Sequence, residues 1–167
     1  MKIKNMLILI LLSFTLGACT QAASTTENEI ITVNDTREEV EAPFQPKKVA
    51  VFDNGTLDTL RVLGAEEAIV GAVTQNPPAY LAGFSNQYEN IGTLKEPNVE
   101  KLAELAPDLI IVSNRMADFV EQLEEIAPVL WLSTSYEDYW GSVKNNIETL
   151  GKVFSLEEEA EVEIAAM

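Results

Sequence analysis

The feature that most constrains this chain is an unbroken apolar run, Leu-Ile-Ile-Val, at residues 109–112. A run of this kind is typical of a parallel strand that is covered on both faces. Before it, Asn98 is a good N-cap for a short helix that Pro107 ends. In open parallel sheets, ligands bind just outside the carboxyl ends of the strands. Arg115, which follows this strand, is therefore the first candidate for a ligand-binding residue.

Strand-like and helix-like segments alternate along the rest of the chain. This alternation predicts an α/β fold, with a Rossmann-like parallel sheet flanked by crossover helices. Residues 29–41 precede it and read as a β-hairpin at the edge of the domain. The predicted strands are residues 49–52, 68–73, 109–112 and 129–132, and the predicted helices are residues 57–63, a short segment from 98, 116–126 and 138–154, the last with Trp140, Val143, Ile147 and Leu150 at helical spacing.

The first 18 residues have the pattern of a lipoprotein signal peptide. Lys2 and Lys4 give a positive start, residues 6–12 are apolar, and Leu-Gly-Ala-Cys at 16–19 matches the bacterial lipobox. We expect cleavage before Cys19, lipidation of this cysteine, and a flexible tether over residues 19–28. A plain signal peptide with an incidental cysteine, or an uncleaved anchor, remains an alternative.

Charge and residue types exclude several functions. Removing residues 1–18 takes away two lysines and no acidic residue, so the formal net charge changes from −16 to −18, which argues against nucleic-acid binding. The chain has no histidine and one cysteine, so direct zinc, manganese or haem-iron ligation lacks its usual ligands. Dinucleotide and ATP-binding motifs are missing, and no nucleophile has a histidine base, so we predict no enzymatic activity.

A family resemblance centres on the region around the apolar strand. Gly-Thr at 92–93, Glu-Pro-Asn-x-Glu-Lys-Leu at 96–102 and Leu-x-Pro-Asp-Leu-Ile-Ile at 105–111 resemble the core signature of iron-siderophore ABC-transporter substrate-binding lipoproteins. Thr-Leu-Lys-Glu-Pro at 93–97 with a later Ser-x-Arg is similar to the catecholate, petrobactin-like subgroup. The resemblance covers residues 29–167, and it implies a protein of two α/β lobes joined by a long helix.

The resemblance also implies a function and a location. The partners would be a ferric siderophore, an ABC permease and, through the permease, its ATPase. Iron would enter only as Fe(III) within a siderophore complex, with no cofactor bound directly. The lipid anchor would hold the protein at the outer face of a bacterial cytoplasmic membrane.

The end of the chain fits the start of such an interlobe helix. Leu156, Ala160 and Ile164 form an apolar stripe among glutamates, without a C-terminal cap. We expect residues 29–154 to form the N-terminal lobe and residues 155–167 to begin the interlobe helix, truncated and with its stripe exposed. A natural single-lobe protein is the alternative.

The resemblance assigns roles to three charged residues. It places Arg115 at the arginine that this lobe contributes to the ferric-siderophore pocket, Lys95 at a second cation against the ligand, and Glu100 at the glutamate that docks on an arginine of the permease. Each has a plainer alternative. Arg115 would instead pair with an acidic residue of the next helical turn (Asp118 or Glu121), Lys95 would be an exposed lysine, and Glu100 would complement the helix dipole.

Three uncharged residues are further candidates to line the ligand cleft. They are Asn54, which follows the first strand of the alternating region, and the loop residues Tyr80 and Tyr88. Capping or packing roles are the alternatives. For the whole protein, the alternatives are a receptor of the same fold for another iron chelate, haem or a cobalamin-like cofactor, and a surface lipoprotein or enzyme outside transport.

Overall fold

The computed structural model describes residues 29–167, and the predicted signal peptide and tether lie outside this range. The described part begins with an antiparallel hairpin of β1 (Ile30–Asn34) and β2 (Glu39–Pro43). The predicted edge hairpin is therefore confirmed. In β1 only Val33 is fully buried, because one face of the hairpin packs on the domain and the other faces water.

The central element is the predicted parallel sheet, whose five strands are β3 (Val49–Val51), β4 (Ile69–Ala72), β5 (Glu89–Asn90), β8 (Leu109–Val112) and β9 (Val129–Trp131). Their order in the sheet is β5-β4-β3-β8-β9. All four residues of β8 are buried, as the apolar run requires. The sequence did not predict β5, which is two exposed residues long and carries no hydrophobic pattern. A small separate hairpin joins β6 (Gly92–Thr93) to β7 (Glu96–Pro97).

Side-chain caps fix where the helices begin. The side chains of three residues that precede helices each accept a hydrogen bond from a backbone N–H of the first turn: Asp53 for α1 (Asn54–Leu63), Asn98 for α3 (Val99–Leu105) and Asp138 for α5 (Tyr139–Phe154). Gly64 ends α1 in the left-handed conformation, with φ of 80°. The other helices are α2 (Ala82–Ser85), α4 (Val120–Glu124) and α6 (Glu157–Ala166).

One predicted helix is wrong in its type. Residues 116–126 were expected to be a continuous α-helix, but the chain forms a 3-10 helix over Asn114–Phe119 before the short α4. Met116 is fully buried, and Phe119 packs against the same core cluster. Side chains three residues apart eclipse one another in a 3-10 helix, so this geometry lets both residues face the core.

The prediction that the apolar stripe of the last helix is exposed is also wrong. Ala160 of α6 is buried, and Leu156 and Ile164 pack against the main core cluster. Close packing of α6 on α5 explains this, since a Cβ added to Gly151 of α5 would lie 2.7 Å from the Cβ of Ala160. The glycine thus lets the two helices approach closely and cover the stripe.

The core has one layer on each face of the sheet. One layer contains side chains of α1, α5, α6 and the hairpin, including Leu57, Leu60, Leu150 and Val153. The other lies under α3, α4 and the 3-10 helix, and includes Leu102, Met116 and Leu123. Both faces of the sheet are covered by these layers, so a ligand can reach the sheet only at its edges. The edge formed by the carboxyl ends of the strands is the expected one.

Candidate functional site

A cavity of about 670 Å³ opens at the carboxyl ends of β3, β8 and β9. Its walls are the first turns of α1, residues 113–115 after β8, residues 132–136 after β9, and one side of α5. It therefore lies where the strand order predicts a ligand site. Ionisable side chains in its wall are Asp53, Arg115, Tyr136 and Tyr139.

Arg115 lines this cavity and is exposed. Among residues 29–167, no carboxylate lies within 4.0 Å of its guanidinium, so the predicted alternative pairing with Asp118 or Glu121 is not formed. A planar guanidinium carries five donors and stays charged at any working pH. Arg115 thus presents an uncommitted cation to the cavity, suited to an anionic oxygen ligand.

Asp53 brings the opposite charge to the same wall, but its carboxylate is committed. Its Oδ2 accepts a hydrogen bond of 2.7 Å from the backbone N–H of Thr56, at the start of α1. The positive end of the helix dipole stabilises a carboxylate in this position. Asp53 therefore repels an anion less than a free aspartate would.

Aromatic rings form the outer part of the cavity wall. Tyr136 is fully exposed, and Tyr139 is 53% exposed. Trp140, predicted on the apolar side of α5, is instead 65% exposed and contacts Tyr139 edge to face, with ring centroids 5.2 Å apart. Its position in the first turn of α5, beyond the sheet edge, leaves it no core to pack against. These rings offer faces on which a planar ligand can stack.

Lys95 lies outside the cavity wall. It is exposed at the tip of the β6–β7 hairpin, where its backbone N–H donates to Oγ1 of Thr93 at 3.2 Å. Gly92 has φ of 118°, and a Cβ there would collide with the backbone oxygen of Glu96, so the hairpin requires glycine. The β7 strand contacts the 3-10 helix that carries Arg115. Lys95 therefore lies in the loop before a strand that packs on the 3-10 helix, and it is not part of the cavity wall.

The structure does not bring the three uncharged candidates into the cavity. Asn54 is the first residue of α1, and its neighbours Asp53 and Gly55 line the wall instead. Tyr80 is exposed beside Asp58, and its pKa is raised by desolvation first and by Asp58 second. Tyr88 is half-buried against Phe84, with ring centroids 5.3 Å apart.

Glu100 lies on a different surface, exposed in the first turn of α3. It has no ion-pair partner among the described residues, whereas the adjacent Lys101 pairs with Glu89 and Glu104. Its carboxylate is therefore available to a partner protein.

Two features are absent from residues 29–167. No cluster of three or more acidic, histidine or cysteine side chains there is arranged to hold a metal ion. No helix in that range has the length and apolarity needed to cross a membrane.

Sequence reasoning missed the wall formed by residues 132–136 and by Tyr139. The signal was present, because Ser-Thr-Ser-Tyr at 133–136 follows a predicted strand just as Arg115 does. The rule that ligands bind at strand ends applies equally to both segments. Arg115 was predicted because it is a charged residue at a strand end, whereas the residues after the next strand are uncharged and were not singled out.

Comparison with known proteins connects this geometry to a family. Residues 49–167 match the sequence model of the family described as periplasmic binding protein. The petrobactin-binding protein YclQ of Bacillus subtilis is 41% identical over 145 residues, covering 85% of this chain and 46% of that protein. Its crystal structure superposes with a TM-score of 0.79, covering 83% of this chain and 50% of that one.

Two further relatives agree with this match. A putative ABC transporter substrate-binding lipoprotein of B. subtilis, YhfQ, is 30% identical and covers 98% of this chain and 53% of its own length. The catecholate-siderophore binding protein VctP of Vibrio cholerae is 30% identical, with a TM-score of 0.72 over 83% of this chain and 50% of that one. The chain spans about half the length of the relatives that it matches.

Proposed function

The chain belongs to the periplasmic binding protein family, and on this premise we propose that it captures an anionic ferric siderophore of the catecholate type for an ABC importer. This is a family of binding proteins and not of enzymes, in agreement with the sequence analysis. The observation that carries the proposal is the uncommitted guanidinium of Arg115 in the wall of the cavity.

Catecholate chemistry suits the cavity in two respects. A ferric catecholate complex is anionic, and charge-assisted hydrogen bonds from an arginine to its oxygens are among the stronger polar contacts in proteins. Its aryl rings match the exposed faces of Tyr136 and Tyr139. The strongly negative protein surface mainly slows the encounter, while the local cation sets affinity.

Iron in this proposal is cargo held by its chelator. The donors that line the cavity are hydroxyl, amide and guanidinium groups, which recognise the outer oxygens of a chelate. Arg115 is the primary contact, and Lys95 is a secondary one for ligands that reach beyond the cavity. Asn54, Tyr80 and Tyr88 would contribute only if the ligand or a second protein surface extended the site.

Delivery and anchoring complete the proposal. We propose that Glu100 docks on a basic residue of the permease, since its carboxylate is exposed and unpaired among the described residues. The lipobox at 16–19 supports a lipid anchor at Cys19, which would keep the protein at the outer face of the cytoplasmic membrane.

Titration with chelates of different charge tests the ligand class. Quenching of tryptophan fluorescence should show tighter binding of ferric dihydroxybenzoate than of a neutral ferric hydroxamate or haem, with iron-free dihydroxybenzoate as the control. Equal binding of all three chelates, or a preference for the neutral hydroxamate, would reject the catecholate assignment.

The anchor has its own test. Labelling of cells with a radioactive fatty acid should mark the parent and leave Cys19→Ala unlabelled, with the variant released from membranes or not matured. Equal labelling of the two proteins would rule out lipidation at this cysteine.

A further inference from the structure

Trp131, the last residue of β9, makes a contact that the proposed site does not use directly. Its indole Nε1 donates to Oδ1 of Asn114 at 3.2 Å and to Oγ of Ser133 at 2.8 Å. The ring is half-buried and packs against the core cluster that contains Met116. Trp131 does not line the cavity, although both of its hydrogen-bond partners do.

The contact falls at the start of the 3-10 helix that presents Arg115. The N-cap residue of this helix, Ser113, makes no side-chain capping hydrogen bond. Asn114 is instead held by the indole, and Met116 is fully buried. Arg115 therefore lies between two anchored residues, while its guanidinium stays uncommitted.

Trp131 is itself held firmly by the turn between β1 and β2. Its backbone N–H donates to Oδ2 of Asp35 at 3.1 Å, and its carbonyl accepts from the N–H of Thr36 at 2.8 Å. Ser133, a cavity-wall residue two positions further along, donates its N–H to Oγ1 of Thr36 at 2.8 Å. A continuous set of hydrogen bonds thus runs from the hairpin turn through Trp131 to Asn114.

We propose that Trp131 is a positioning residue that fixes the backbone of Asn114 and Arg115 so that the guanidinium is pre-oriented toward the anionic ligand. The inference rests on the proposed function of Arg115. Ordering the binding group before the ligand arrives reduces the entropy lost on binding. The indole N–H is the group responsible, so phenylalanine, which keeps an aromatic ring but lacks this donor, tests the contact from one side, and substitutions of its acceptor Asn114 test it from the other.

The first test needs no ligand. In Trp131→Phe, hydrogen–deuterium exchange should rise in peptides covering residues 113–119, because Asn114 loses its donor. Asn114→Ala should have the same effect, whereas Asn114→Asp, which keeps an acceptor, should retain protection. Trp140→Phe is the matched control for exchange, since Trp140 is exposed on α5 and its ring contacts that of Tyr139. Unchanged exchange in Trp131→Phe would overturn the proposal.

The second test asks whether Trp131 acts through Arg115. With ferric dihydroxybenzoate as the probe and calorimetry as the readout, Trp131→Phe should weaken binding about two- to tenfold, as expected for one neutral hydrogen bond. In an Arg115→Ala background the same change should have little effect. An equal effect in both backgrounds would overturn the proposal. If Arg115→Ala itself leaves binding unchanged, the proposed function fails, and the exchange measurement alone decides the positioning role.

Discussion

Two arginines near β9 have opposite environments. The guanidinium of Arg37, in the turn between β1 and β2, contacts Oδ2 of Asp35 at 2.8 Å, Oε1 of Glu124 at 2.7 Å and the carbonyl of Val129 at 2.8 Å. The guanidinium of Arg115 has no such partner among the described residues. The same side chain is used once to join elements of the fold and once to face an open cavity.

The environment of Arg37 shows what a committed arginine does. The Asp35 side chain is fully buried and also accepts from the backbone N–H of Trp131, so the pair closes the open edge of β9. Burial lowers the pKa of Arg37, but hydrogen bonds to Asp35 and Glu124 outweigh it, and the net pKa is raised. Its donors are used for stability, whereas those of Arg115 are left for a ligand.

The largest effect that we predict distinguishes the two arginines by stability. Arg37→Ala leaves the carboxylate of Asp35 buried without its charged partner, which should cost about 2–4 kcal/mol of unfolding free energy. Arg115→Ala should change this free energy by less than about 0.5 kcal/mol, as for a surface residue without partners. Urea denaturation measures both.

Arg61→Ala is the matched control, because Arg61 is in an exposed pair with Asp58. Its loss should cost much less stability than the loss of Arg37, because exposed ion pairs are solvated and screened by salt. Equal unfolding free energies of the three variants would contradict the comparison, because the ion pairs of Arg37 would then add no stability beyond that of an exposed or unpaired arginine.

A smaller effect concerns the second cation. Lys95→Ala should weaken binding of ferric dihydroxybenzoate by less than about tenfold, because a flexible ammonium outside the cavity wall is poorly pre-organised. Lys47→Ala, which removes an exposed lysine at the opposite end of β3, is the control for overall charge. If Lys95→Ala lost as much affinity as Arg115→Ala, the ligand would contact both cations equally, which would contradict the secondary role that we propose for Lys95.

The smallest effect that we predict is a dependence of stability on pH at the alkaline end, which comes from Tyr88. Burial, and then the nearby charge of Glu66, raise the pKa of Tyr88 in the folded protein. The unfolded chain then ionises first, so stability should fall as the pH rises from about 10 toward the folded pKa. Tyr88→Phe should flatten the decline in unfolding free energy, and an unchanged profile would contradict the assignment.

Much of the fold could be predicted from the sequence because apolar runs and capping residues are local signals. The run at 109–112 and the caps Asn98 and Gly64 each depend on a few adjacent residues. The 3-10 helix at Asn114 and the packing of α6 depend on distant partners, and so they were missed. Arg115 was found because it follows a recognisable strand, while its lack of a partner is visible only in three dimensions.

The most direct test of this account is the affinity of the 167-residue chain for ferric dihydroxybenzoate, measured for the parent and for Arg115→Ala. If the guanidinium of Arg115, unpaired among residues 29–167, binds the anion, Arg115→Ala should lose about 1.5–3 kcal/mol of binding free energy, roughly ten- to hundredfold in Kd. The unfolding free energy should stay unchanged. Equal affinity of the two proteins, or a loss of affinity matched by a loss of stability, would contradict it.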